Sequence, residues 1–66
     1  MNGLMHEYRL YSLVPKSNHL KGAPVVVVCQ NDTEAIAEAN KILRDLDIEV
    51  WERARRVIRI PSQQAK

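Results

Sequence analysis

Residues 25–28 are four consecutive valines, and this run constrains the fold more than any other feature of the chain. A β-branched side chain crowds a helix but packs well on a pleated surface, so the run reads as a strand. Successive side chains of a strand point to opposite faces, and here both faces are apolar. Strands of that kind belong where both faces are covered. Yet a chain of 66 residues builds one domain and buries only about 60% of the surface its unfolded form exposes. The elements available to cover this strand are therefore few.

Only one helix is legible. The segment "NDTEAIAEANKILRDLD" opens with Asn31 and Asp32, either of which accepts hydrogen bonds from the open N–H groups of a first helical turn. With Asn31 as the cap, Glu34 takes the third helical position, as in a capping box. Ala35, Ile36, Ala39, Ile42, Leu43 and Leu46 fall on one continuous stripe at helical period. Glu34, Glu38, Asp45 and Asp47 read as its solvated side, with Lys41 spaced to pair with Glu38 and Asp45.

Strands flank the helix on both sides. "YRLYSLV" is rich in β-formers and carries apolar weight on both sides. "PKSN" is a turn by composition, because Pro15 presets its φ and Ser17 and Asn18 bond to nearby backbone. The returning chain contains Gly22 and Pro24, which disfavour a regular ladder, so a bulge is expected before firm pairing over residues 25–29. After the helix, "IEVWE" and "RVIRI" form a second hairpin around a three-residue loop of Arg53, Ala54 and Arg55. That register sets Trp51 opposite Val57, Val50 opposite Ile58, Glu49 opposite Arg59 and Ile48 opposite Ile60, like facing like on each side. Pro61 ends the strand.

The order is β-β-α-β-β. The simplest compact arrangement is an α+β fold, a four-stranded, mainly antiparallel sheet with one helix packed on one face. Ile48, Val50, Ile58 and Ile60 are assigned to the helix, which leaves Tyr11, Trp51 and Val57 on the other face. One domain over residues 1–66 is expected, with residues 1–6 and 62–66 as flexible tails.

Those segments resemble a pattern in short uncharacterised proteins of alpha-proteobacteria. There a "YRLYFLD" opening, a "GH" turn, a "C-x-x-D-x-x-A" segment and an "E-L-W-x-x-x-R-x-V" ending recur. Here the corresponding residues are 8–13, His19, 29–36 and 49–59, about half the chain. Ser12 stands where a Phe is usual, Asn18 replaces the turn Gly, and the stretch from His19 to Asp32 is a few residues longer. The resemblance implies the same hairpin–helix–hairpin layout, no assigned activity and no site residues.

A small core usually needs a staple. Cys29 is the only cysteine and has no partner in the chain. His6, His19 and Cys29 lack the close spacing of a metal site, so each histidine is expected to bond to backbone or surface and Cys29 to be a buried, inert thiol. No metal and no cofactor is expected. Self-association is the route left. No secretory signal is visible, and the longest apolar run, "APVVVVC", is far short of a membrane span. The plain expectation is a soluble, cytoplasmic protein that does not bind membranes.

Net charge is +2, too small to imply a polyanionic partner by itself. It is unevenly spread: Arg53, Arg55, Arg56, Arg59 and Lys66 face Glu52 alone in residues 51–66. The arginines at the hairpin are candidate contacts for an acidic partner, since β-ribbons enter nucleic-acid grooves and exposed aromatics stack on bases. The competing reading is a solvated, ion-paired edge that discourages aggregation. Trp51 is either an interface anchor or ordinary core with the two faces exchanged. No nucleophile signature or phosphate loop is present, and no enzyme activity is expected. The leading expectation is a homodimeric structural or protein-interaction module that pairs through Tyr11, Trp51 and Val57. The alternative is a nucleic-acid-binding module using Arg53, Arg55, Arg56 and Arg59.

Overall fold

The computed structural model describes residues 5–63. Four strands and one helix follow one another as β1 (His6–Leu13), β2 (Val25–Cys29), α1 (Asp32–Ile42), β3 (Asp47–Glu52) and β4 (Arg55–Ile60). The strands form one antiparallel sheet in the order β2-β1-β3-β4. The fold is α+β with a β-β-α-β-β order, as expected. No helix among the described residues is long and apolar enough to cross a membrane.

The core grows from the two interior strands. Leu10 lies opposite Val50 and Ser12 opposite Ile48, which aligns the apolar rows of β1 and β3 on one face. Tyr8, Leu10, Ile48 and Val50 are each 2% exposed or less. Helix α1 covers that face with Ala35 and Ala39, both fully buried, and with Leu43 just past its end. Alanine at the contact lets the helix backbone sit close to the sheet, so the seam is narrower than the six-residue stripe of the sequence. Ile42 is 43% exposed, and Leu46 lies beyond the helix.

Helix ends follow local hydrogen bonding. Asn31 is the cap, its Oδ1 accepting from the Glu34 amide at 2.9 Å. Glu34 reaches back to the Gln30 amide at 2.8 Å, one residue earlier than a capping box predicts. At the other end Leu43 turns to extended backbone, and the Arg44 guanidinium donates to the Lys41 and Leu43 carbonyls. Asp47, expected on the wet side of the helix, instead opens β3 and is 7% exposed.

The valine run lies at an edge of the sheet, not in its interior, because β3 takes the place beside β1. Between them, β1 and the returning chain show the expected irregularity. Leu20 faces Leu13 while Val25 faces Leu10, so three steps along β1 match five on the return. Gly22 sits in this segment at φ 78°. The turn before it has Pro15 in second place, Lys16 at φ 63° and the Ser17 amide donating to the Val14 carbonyl at 3.1 Å, the pattern of a type II turn.

The second hairpin corrects the sequence reading in part. Val50–Ile58, Glu49–Arg59 and Ile48–Ile60 pair as expected, but a bulge follows, and Trp51 pairs with Arg56 and Glu52 with Arg55. The loop is the two residues Arg53 and Ala54, with Arg53 at φ 57°. The bulge rotates Val57 toward the helix-covered core, against which it packs. Val57 therefore leaves the face on which it was expected. Both tails are shorter than expected at their inner ends. His6 pairs with Cys29 in β1, and the Ser62 and Gln63 amides donate to Asp47 Oδ1 and the Arg44 carbonyl, each at 2.8 Å. The rest of the expected tails, residues 1–4 and 64–66, lies outside the described residues.

Two left-handed positions give opposite expectations. A Cβ on Gly22 meets nothing within 4 Å, so Gly22→Ala costs about 1 kcal/mol through backbone strain alone. Lys16→Gly relieves the same strain and gains up to about 1 kcal/mol, less the added freedom of its unfolded chain. Urea unfolding of the two variants checks both signs.

Candidate functional site

Alternation along β1 and β3 directs Arg9, Tyr11 and Leu13 of the first, and Asp47, Glu49 and Trp51 of the second, to the face away from the helix. Cross-strand register then sets Trp51 beside Arg9, Glu49 beside Tyr11 and Asp47 beside Leu13. On the far side Glu49 faces Arg59 and Trp51 faces Arg56. This is the uncovered face that the sequence predicts, and it divides into an ionic half and an apolar half.

The ionic half is centred on Glu49, only 8% exposed. Its Oε1 accepts from the Trp51 indole Nε1 at 2.8 Å, and its Oε2 accepts from Arg56 and Arg59 Nη1, each at 3.3 Å. Arg59 also donates through Nε to Asp47 Oδ2 at 3.0 Å and through Nη2 to the Ser17 carbonyl at 2.8 Å. One guanidinium thus ties β3, β4 and the β1–β2 connection together. Burial pushes the Asp47 carboxyl up, but the Ser62 amide and the Arg59 guanidinium outweigh it and hold the group below the usual carboxylate range.

The apolar half is an open hollow of about 520 Å³. Tyr11, Leu13, Leu20 and Trp51 line it together with Asn18, Arg53 and Glu49. Leu20 is 53% exposed while Leu13 is 4% exposed. The indole is half-buried, and its hydrogen bond to Glu49 fixes the ring's polar edge so that its apolar surface borders the hollow.

A second network closes the end of the sheet nearest the helix N-terminus. Arg55 donates to both oxygens of Asp32, at 3.0 and 3.1 Å, and to Glu52 at 2.6 Å. Tyr8 donates its phenol proton to Asp32 at 2.8 Å, and His6 Nδ1 meets Glu52 at 2.5 Å. The Arg55 hydrogen bonds hold both carboxyls below their usual range, with help from Tyr8 at Asp32 and from His6 at Glu52. Those carboxylates in turn raise the Arg55 pKa. Burial, then the bond to Asp32, pushes the Tyr8 phenol up to about 12.

The structure thus brings Tyr11 and Trp51 together and removes Val57 from their company. Of the four arginines expected to meet an acidic partner, Arg55, Arg56 and Arg59 are ion-paired within the chain. Arg53 alone makes no salt bridge among the described residues. Sequence reasoning missed Leu13, Leu20 and the Glu49–indole bond. The two-residue spacing of Glu49 and Trp51 does place them on one face; the return of Leu20 over Leu13 carries no local signal. His19 contributes through its backbone, its amide donating to Ser17 Oγ at 3.0 Å and its carbonyl accepting from Val14. Cys29 is buried, which pushes its thiol pKa up. Among the described residues no three His, Cys, Asp or Glu side chains form a metal-sized group. Comparison with protein-family models, curated proteins and solved structures returns no match.

Removing the Glu49 carboxylate leaves Arg59 and the indole N–H without their shared acceptor. Glu49→Ala is expected to cost about 2–3 kcal/mol in denaturant unfolding, more than Glu38→Ala on the helix surface. The pKa directions also give a pH profile. Asp32, Asp47 and Glu52 are depressed, so their contribution is complete above the unfolded carboxylate range, about pH 4, and is lost as pH falls below it. Tyr8 is raised from 10.0 to about 12, so its contribution is complete below pH 10.0 and is lost as pH rises toward 12. Thermal unfolding across pH is expected to show both limbs, and Tyr8→Phe is expected to weaken the alkaline one, leaving the part that the buried Cys29 thiol contributes.

Proposed function

We propose that this chain is a protein-interaction module that forms a homodimer through its uncovered sheet face, with no catalytic role of its own. The observation that supports this reading is the hollow beside Trp51, an apolar recess next to an indole already held in one orientation by Glu49. Interfaces favour tryptophan at their centres, and a side chain ordered before contact loses little entropy on binding. Tyr11 and Trp51 are the contacts in this reading, and Leu20 joins them in place of Val57. Leu20, 53% exposed beside the hollow, suits the apolar face of a second copy as the partner. The cytoplasm is the proposed location, where a lone thiol such as Cys29 stays reduced.

Nucleic-acid binding is the weaker reading. A phosphate clamp needs guanidinium groups free to meet phosphate, and three of the four candidates already share Asp32, Asp47, Glu49 and Glu52. The proposed resemblance to the short alpha-proteobacterial proteins fits either reading equally, since it transfers no activity.

Trp51 is the only tryptophan, so its fluorescence reports directly on this face. Its emission is expected to shift to the blue as protein concentration rises, and Trp51→Glu is expected to weaken self-association at least about tenfold, beyond the loss of monomer stability that follows from removing the indole's bond to Glu49. Emission independent of concentration, or salt-sensitive binding of an oligonucleotide by the wild type but not by Arg53→Ala, goes against the reading.

A further inference from the structure

The sheet has two open edges, and the chain treats them differently. β4 carries Arg55, Arg56 and Arg59 and is followed by Pro61, features that keep a free edge from pairing with another chain. β2 carries four valines and Cys29 with no charge among them. Among the described residues its one neighbour is β1, and the backbone groups along its outer side have no partner in the sheet. Val25, Val26 and Val28 are 45%, 50% and 59% exposed, and Pro24 shields only the start of the strand.

We propose that β2 pairs antiparallel with β2 of a second copy about a twofold axis, joining two sheets into one of eight strands. A twofold contact sets a strand against its own reverse, so each side chain must tolerate the chain's own composition. A lysine or glutamate on β2 brings like charges together across such an axis, and the strand has neither. Full overlap of its five residues sets Val27 opposite its own counterpart and Val26 opposite the counterpart of Val28. On the uncovered face this makes an unbroken valine band across both copies. On the other side, a hollow of about 490 Å³ between β2 and α1, lined by Val27, Val28, Cys29 and Ala37 together with Glu34 and Glu38 of the helix, leaves room for the incoming strand's side chains. The contact is separate from the one proposed above, since no β2 residue lines the hollow at Trp51.

Amide exchange read by NMR tests the contact residue by residue. In a bare edge strand alternate amides point to solvent and exchange fast, whereas a paired strand protects them all. At high protein concentration every amide of β2 is expected to be protected, the outward ones exchanging at least about tenfold more slowly than at low concentration. Val26→Lys with Val28→Lys, both at exposed positions, is expected to abolish that concentration dependence while β1 and β3 stay protected. Trp51→Glu is expected to retain it, which separates this edge contact from pairing through the Trp51 face. Fast exchange at alternate β2 amides of the wild type at every concentration overturns the proposal, as does protection that Trp51→Glu removes and the valine substitutions do not.

Discussion

The antiparallel pairing of β1 with β3 is the interaction on which the rest of this small protein depends. It brings together strands that lie far apart in the chain, and it makes a two-sided element from them. On one side Tyr8, Leu10, Ile48 and Val50 form a row dry enough to take a helix held by two alanines. On the other side the same register lines up Arg9, Tyr11 and Leu13 with Trp51, Glu49 and Asp47. A slip of one residue exchanges these faces and buries both carboxylates beneath the helix, at a cost the core cannot offset.

Once that register is in place, the charges follow from it. Glu49 and Asp47 emerge on an interior strand where water reaches them poorly, and Arg59 on the neighbouring strand is the group able to satisfy both. Its remaining donor meets the Ser17 carbonyl in the β1–β2 connection, which brings Asn18 and Leu20 to the edge of the hollow. A basic stretch of sequence thereby becomes an internal clamp. In the proposed reading, what it leaves for a partner is an apolar recess with a fixed indole and a charge-free valine edge. Both surfaces suit protein contact better than phosphate.

The order of elements and the helix start were legible because each rests on local chemistry: strand propensity and period, and the bond from Asn31 to the Glu34 amide. Much of the second hairpin was legible too, since Glu49 and Arg59 attract across strands and Ile48 and Ile60 share a face. The departures came from longer-range geometry. The bulge beside Val50 that turns Val57 to the core and brings Arg56 opposite Trp51 has no glycine to announce it. Asp47 continues the charge spacing of the helix, so its burial opposite Leu13 is visible only once β1 and β3 are neighbours. Four valines imply a strand covered on both faces, yet strand order set them at an edge, and order in space is the property that local pattern encodes least.

The claim at the centre of this account is that the surface left over after folding is apolar and takes a second copy of the chain. Sedimentation equilibrium of the wild-type protein over a wide concentration range, repeated at low and high salt, tests it most directly. The account predicts an average mass that rises above the monomer value with concentration and does not fall when salt is added. A monomer mass at every concentration contradicts it.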